Sequence, residues 1–177
     1  MRALGPGSVS SFLKVILDFF FYVLWGVGGL LALAFLLVLL LSFKPDIFLD
    51  KVAVEGLKYA GPNKALVLAA ALLAADLYVA GTIIIVGRLR RIFHTLIIGD
   101  PFHPENVRRL RVIAGTLAVL ELGRNAARGI SHLILPAGSS IGGGVNLTTW
   151  FAVLVIVVLA EVFREGARLR RDAELTI

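Results

Sequence analysis

Five polar residues sit inside stretches that are otherwise apolar: Asp76 in one, and Glu121, Arg124, Asn125 and Arg128 in another. Asp76 lies twelve residues from both Lys64 and Arg88. Glu121 lies ten residues beyond Arg111, roughly 15 Å along a helix, so the two carboxylates fall at nearly one depth if both stretches cross a membrane. Arg124 and Arg128 continue the face of Glu121 at helical spacing. A charge at such depth costs at least about 2.5–3.5 kcal/mol, so these groups should face a bundle interior and pair. The chemistry open to them is a proton or ion pathway, or a polar cavity for a small ligand. The competing reading is a structural network of Asp76, Glu121 and Arg124 that ties one helix to the next, with Arg128 reaching the outer headgroups. Two carboxylates against two arginines sum to zero, which favours the structural reading.

Other chemistries lose their residues. The chain has no cysteine, which excludes disulfides, thiolate metal sites and cysteine nucleophiles. His94, His103 and His132 fall in separate segments without metal-ligand spacing. No Lys-Ser/Thr pair follows the Gly142, Gly143, Gly144 run, so it is no phosphate loop. The serines have no histidine and carboxylate partners at a recognisable spacing. The expectation is a non-enzymatic protein with no cofactor and no metal.

The elements that position these residues follow from composition. The 177 residues are 58% hydrophobic, with a mean hydropathy of +0.90, so lipid must be the solvent for most of the surface. The first span, residues 15–41, is too long for a signal core and reads as a retained helix. Lys14 and Asp18 stand four apart at its start and can pair. Gly28 and Ala32, beside Gly26 and Gly29, form a small-residue face. Residues 43–63 read as a short amphipathic helix on the outer membrane surface. The second span covers residues 65–86. Beyond it Leu89, Ile92, Phe93 and Leu96 recur at helical spacing, the pattern of an interfacial continuation. The run from Gly99 through Pro101 and Pro104 breaks the helix. His103 then stands where an N-cap would be, Pro104 at the first helical position and Glu105 in the first turn.

The third span, residues 112–135, carries the charges named above, and the charge map argues that it crosses. Arg88, Arg90, Arg91, Arg108, Arg109 and Arg111 crowd the loop 88–111, and Arg164, Arg168, Arg170 and Arg171 the tail 164–177; residues 131–149 hold no Lys or Arg. Only four crossings put both basic segments on the cytoplasmic side. Residues 136–146 then form an outer loop, and Trp150 marks the outer interface of the fourth span, residues 147–163. The expected fold is all-α: a single integral-membrane domain over residues 1–177, a four-helix bundle with short interfacial amphipathic helices and both termini cytoplasmic. The net charge of +6 is then read as contact with anionic lipid headgroups at the cytoplasmic face, without direct nucleic-acid binding.

Two segments carry a more specific pattern. Asp100-Pro101-Phe102-His103-Pro104-Glu105-Asn106-Val107 precedes a basic helix start, and the chain ends Asp172-Ala173-Glu174-Leu175-Thr176-Ile177 after Val162-Phe163-Arg164-Glu165-Gly166. Both resemble the bacterial family called domain of unknown function 2975, small four-helix membrane proteins. The order of the hydrophobic spans fits as well. The resemblance implies a place in the bacterial inner membrane and, since such members are often encoded beside a small helix-turn-helix regulator, a cytoplasmic protein partner. It adds nothing to the buried network. The candidates for binding that partner are Arg88, Arg91, Asp100, Pro101, Phe102, Glu105 and Asn106 in the loop, and Arg168, Arg171, Glu174, Leu175, Thr176 and Ile177 in the tail. The leading expectation is a membrane regulator or scaffold. The alternatives are a small transporter or channel-like subunit using the buried charges, and an accessory subunit of a larger membrane complex, for which the small-residue face of the first span is the hint.

Overall fold

The computed structural model describes residues 9–41, 64–134 and 146–175. They form four helices: α1 (Val9–Leu41), α2 (Lys64–Ile98), α3 (Pro104–Ile134) and α4 (Leu147–Glu174). No strand occurs among the described residues, and the chain is an all-α membrane bundle. Three helices are long and apolar enough to cross a membrane, within Phe12–Leu41, Ala65–Ile98 and Leu147–Ala173. With 31 residues α3 matches them in length, but Glu121, Arg124 and Arg128 dilute its apolar character. The expected surface helix at 43–63 and the expected outer loop at 136–146 fall almost wholly outside the described residues.

The second span does run on through Gly87, since α2 ends only at Ile98. It stops where the sequence places its breakers. Gly99 takes a left-handed backbone with φ of 87°, a conformation that glycine adopts without steric cost. Asp100 N–H donates to the Thr95 carbonyl at 3.0 Å and Gly99 N–H to that of Leu96 at 3.2 Å, satisfying the last carbonyls of α2. The start of α3 follows expectation too. His103 Nδ1 accepts from the Glu105 amide at 3.2 Å, so the ring nitrogen does the work of a capping oxygen.

The chain divides into two compact units. In the first, the described parts of Met1–Val23, Gly81–Glu121 and Asn146–Ile177 bring stretches of all four helices together. Its interior holds Ile92, Val107, Ile113, Ala114 and Ala160. β-Branched Ile92, Val107 and Ile113 share it with the small Ala114 and Ala160; lipid gives helices no hydrophobic reason to associate, so van der Waals packing of such side chains, with close approach at the alanines, supplies the energy instead. At Gly81 a Cβ would lie 2.7 Å from the Leu120 side chain, so α2 and α3 touch there and any larger residue would have to displace that leucine. The second unit comprises the described parts of Leu24–Ala80 and Leu122–Val145. Its apolar side chains are largely exposed, as a lipid-facing surface requires, including Leu30, Leu33, Leu66 and Leu77. Among the described residues a Cβ at Gly26 or Gly29 would meet nothing within 4 Å, so these residues leave the small-residue face of α1 open at both glycines.

Candidate functional site

The basic end of the first unit is built around one side chain. Asn106, in the first turn of α3, is fully buried. Its amide nitrogen donates to Thr95 Oγ1 at 2.7 Å and to the Pro101 carbonyl at 3.1 Å. Its amide oxygen accepts from Arg109 at 2.9 Å. The Thr95 hydroxyl in turn donates to the Ile92 carbonyl at 2.7 Å. Arg109 also reaches the Arg91 carbonyl at 3.1 Å and the Glu105 carboxylate at 3.0 Å. A buried amide must find partners for its donors and acceptor, and here those partners come from α2, from the turn and from α3. The network therefore fixes the α2–α3 turn.

The turn then docks on α4. Phe102 packs against Phe163, with ring centroids 5.7 Å apart, and covers Gly166, where a Cβ would fall 2.5 Å from the ring. Asp100 pairs with Arg170. Further along, Arg111 of α3 lies 3.9 Å from Glu161 of α4, which also pairs with Arg164. The loop and the tail, which the sequence offers as two separate binding segments, are thus one surface. Between α3 and α4 that surface opens into a groove of about 470 Å³, lined by Pro104, Val107, Arg111, Arg164, Glu165, Ala167, Arg168 and Arg171.

The candidate residues divide accordingly. Asn106, Asp100 and Phe102 are engaged in the turn and its docking on α4, and Pro101 lends its carbonyl to Asn106. Glu105 is exposed and pairs with Arg109. Arg168 and Arg171 line the groove. Arg88 and Arg91 line a different cleft, between α1 and α2. Leu175 caps α4 and is highly exposed; Thr176, Ile177 and the side chain of Glu174 lie outside the described residues. The role of Thr95 as a partner of Asn106 went unread, because the sequence shows it only as a polar position on an amphipathic helix.

The Gly166–Phe102 contact makes a prediction whose sign changes with background. Alanine for glycine inside a helix is worth about 1 kcal/mol, whereas displacing a packed ring costs about 1–3 kcal/mol. Gly166→Ala alone should destabilise by about 1 kcal/mol on this balance. In a Phe102→Ala background the same change should stabilise by about 1 kcal/mol. Unfolding in mixed micelles measures both, and destabilisation in both backgrounds would contradict the contact.

The buried charges occupy different places. Glu121 belongs to the first unit, is only 4% exposed, and accepts a hydrogen bond from the Asn146 amide at 3.2 Å. Asp76, Arg124, Asn125 and Arg128 belong to the second unit and are each half-buried. Arg124, Asn125 and Arg128 have polar or ring partners. Asp76 makes no hydrogen bond or ion pair among the described residues.

One sequence-based pairing needs correcting, and two depth assignments conflict. Asp18 pairs with Arg90 of α2 rather than with Lys14 on its own helix, because a guanidinium held over Phe21, 4.3 Å from the ring centroid, is already in place there. The mid-span depth expected for Glu121 and the outer-interface position expected for Trp150 do not fit together. The Asn146–Glu121 hydrogen bond sets the start of α4 level with Glu121, and Trp150 is only one turn further along α4.

No curated protein and no solved structure matches the chain. A family model does match residues 51–177, a stretch that contains the Asn106 turn, the groove and the whole of α4. By that match, over well more than half of its length, the chain belongs to the family described as protein of unknown function (DUF2975).

Proposed function

We propose that this protein is a non-enzymatic, multi-pass membrane regulator or scaffold that holds a cytoplasmic protein through the groove between α3 and α4. The observation that carries this reading is the union of loop and tail into one basic surface. Four arginines, Arg111, Arg164, Arg168 and Arg171, surround the groove, against the carboxylates of Glu161 and Glu165. Arg171 makes no side-chain hydrogen bond or ion pair among the described residues. Charge complementarity then selects an acidic segment as the occupant. Pro104, Val107 and Ala167 supply an apolar floor for it. A small helix-turn-helix regulator with an acidic helix or tail is the kind of partner that the family resemblance suggests.

The test is charge reversal. Arg168→Glu with Arg171→Glu should weaken binding of the partner on the order of 10–100-fold, since like charges would then face each other across the groove. Binding by the unaltered protein should also weaken with salt. Unchanged affinity in the double variant, with the fold intact by circular dichroism, would remove the groove from the interaction.

A second reading, a small transporter or channel-like subunit, draws on the burial of Glu121. Its discriminating measurement is ion or proton flux in proteoliposomes, which Asp76→Asn or Glu121→Gln should abolish.

A further inference from the structure

A second basic cleft, of about 490 Å³, lies between α1 and α2 within the first unit. Two helical stripes face each other across it. Lys14, Asp18 and Phe21 come from α1, and Ile83, Ile84, Gly87, Arg88, Arg90, Arg91 and His94 from α2. The cleft is graded along its length. Phe21, Ile83 and Ile84 line the part toward the apolar spans, and the cations line the part toward the basic end.

The charges in it are unevenly paired. Asp18 holds Arg90, and Arg90 lies over the rings of Phe21 and Tyr22, at 4.3 and 5.7 Å from their centroids. The side chains of Lys14, Arg88 and Arg91 make no hydrogen bond or ion pair among the described residues. Three cations with no carboxylate partner among the described residues thus surround one cleft, at the point where α1 and α2 pass from apolar to charged sequence. A guanidinium presents paired donors that match phosphate oxygens, and an ammonium adds a compact positive charge. Basic pockets between membrane helices at such a level suit lipid headgroups.

We propose that this cleft binds the phosphodiester headgroup of an anionic phospholipid. Lys14, Arg88 and Arg91 hold the phosphate, and Phe21, Ile83 and Ile84 receive the glycerol and the upper acyl chain. Asp18 is a positioning residue: by holding Arg90 over Phe21 it shapes the wall without competing for the phosphate. A Cβ at Gly87 would meet Phe21 at 3.5 Å, an ordinary van der Waals contact, so the two helices are close on that side. The bound lipid then sets the spacing of α1 and α2. The site is separate from the α3–α4 groove, so either assignment can fail alone.

The full-length protein in phosphatidylcholine nanodiscs doped with phosphatidylglycerol provides the test, with retained lipid counted by native mass spectrometry. The unaltered protein should retain phosphatidylglycerol over phosphatidylcholine. The triple variant Lys14→Gln, Arg88→Gln, Arg91→Gln should lose that preference at least about tenfold, three phosphate contacts being removed. A second triple variant, Arg164→Gln, Arg168→Gln, Arg171→Gln, removes the same charge elsewhere and should keep it. Equal retention in the first variant, or equal loss in both, overturns the site. Displacement of the lipid by millimolar inorganic phosphate would show a free-anion site and overturn the lipid assignment. A photoreactive side chain at Ile84, which is partly exposed, probes the unaltered charge set and does not depend on the triple variant folding. It should label phosphatidylglycerol in preference to phosphatidylcholine, and equal labelling would count against the proposal.

Discussion

Asn106→Leu is expected to destabilise the protein by about 3–5 kcal/mol, the sum for breaking a fully buried polar network. Leucine keeps the branched skeleton of asparagine, but its bulkier methyls cannot sit at hydrogen-bond distance from their neighbours, so some overpacking adds to the loss. What is lost are the bonds to Thr95, Pro101 and Arg109. Each net hydrogen bond is worth about 1 kcal/mol, and each partner left buried without a replacement costs about 1–3 kcal/mol more. The groups left behind are unequal. Arg109 keeps Glu105 and the Arg91 carbonyl, and Thr95 keeps its donor bond to Ile92, so most of the cost falls on the Pro101 carbonyl and on the geometry of the turn. Thr95→Val in the Asn106→Leu background should add little, because the pair acts as one unit. Reversible unfolding in mixed micelles gives both numbers, and a loss under about 1 kcal/mol for Asn106→Leu would mean that the amide is not a keystone.

Glu121→Leu is expected to cost about 2–3 kcal/mol, whereas Glu121→Gln should stay within about 1 kcal/mol of the unaltered protein. Glutamine keeps an oxygen that can accept from the Asn146 amide; leucine leaves that amide at the start of α4 without its acceptor. The amide matters because the first turn of a helix has no internal partners for its N–H groups, and lipid cannot supply any. Asn146 satisfies one of them itself, its side chain accepting from the Thr148 amide at 3.1 Å, and Glu121 satisfies another. A structural Glu121 gives this split in stability with no flux in proteoliposomes. A transporting Glu121 gives a flux that the glutamine variant abolishes at the same small cost in stability, so the flux separates the two.

What could be read from the sequence follows the range of each interaction. The α2–α3 turn was legible nearly residue by residue. Gly99, Pro101 and Pro104 act through their own backbone geometry and His103 through a side-chain bond two residues along, and neither needs tertiary information. The continuation of α2 to Ile98 was legible as a 3.6-residue apolar period. Asp18 was not: its neighbour Lys14 satisfies the local rule, but Arg90, 72 residues away, is the group that packing delivers. Asn106 is the clearest case. An asparagine beside a proline-rich turn looks like an exposed recognition residue, and only the approach of Thr95 and Arg109 reveals it as buried. Counting residues from Arg111 gave the depth of Glu121, and the Trp150 rule gave the outer edge of the fourth span. Each is sound alone, but the Asn146 contact shows that they cannot both describe a full-thickness crossing.

The groove proposal itself is most directly tested by a photoreactive amino acid at Ala167, on the groove wall between Arg164 and Arg171, irradiated in native membranes. The predicted result is a crosslink to one cytoplasmic protein through an acidic segment, lost when Arg168 and Arg171 are both changed to Glu and retained when Lys14 and Arg91 are changed to Gln. A crosslink that goes only to lipid, or one to protein that survives the charge reversal, would contradict it.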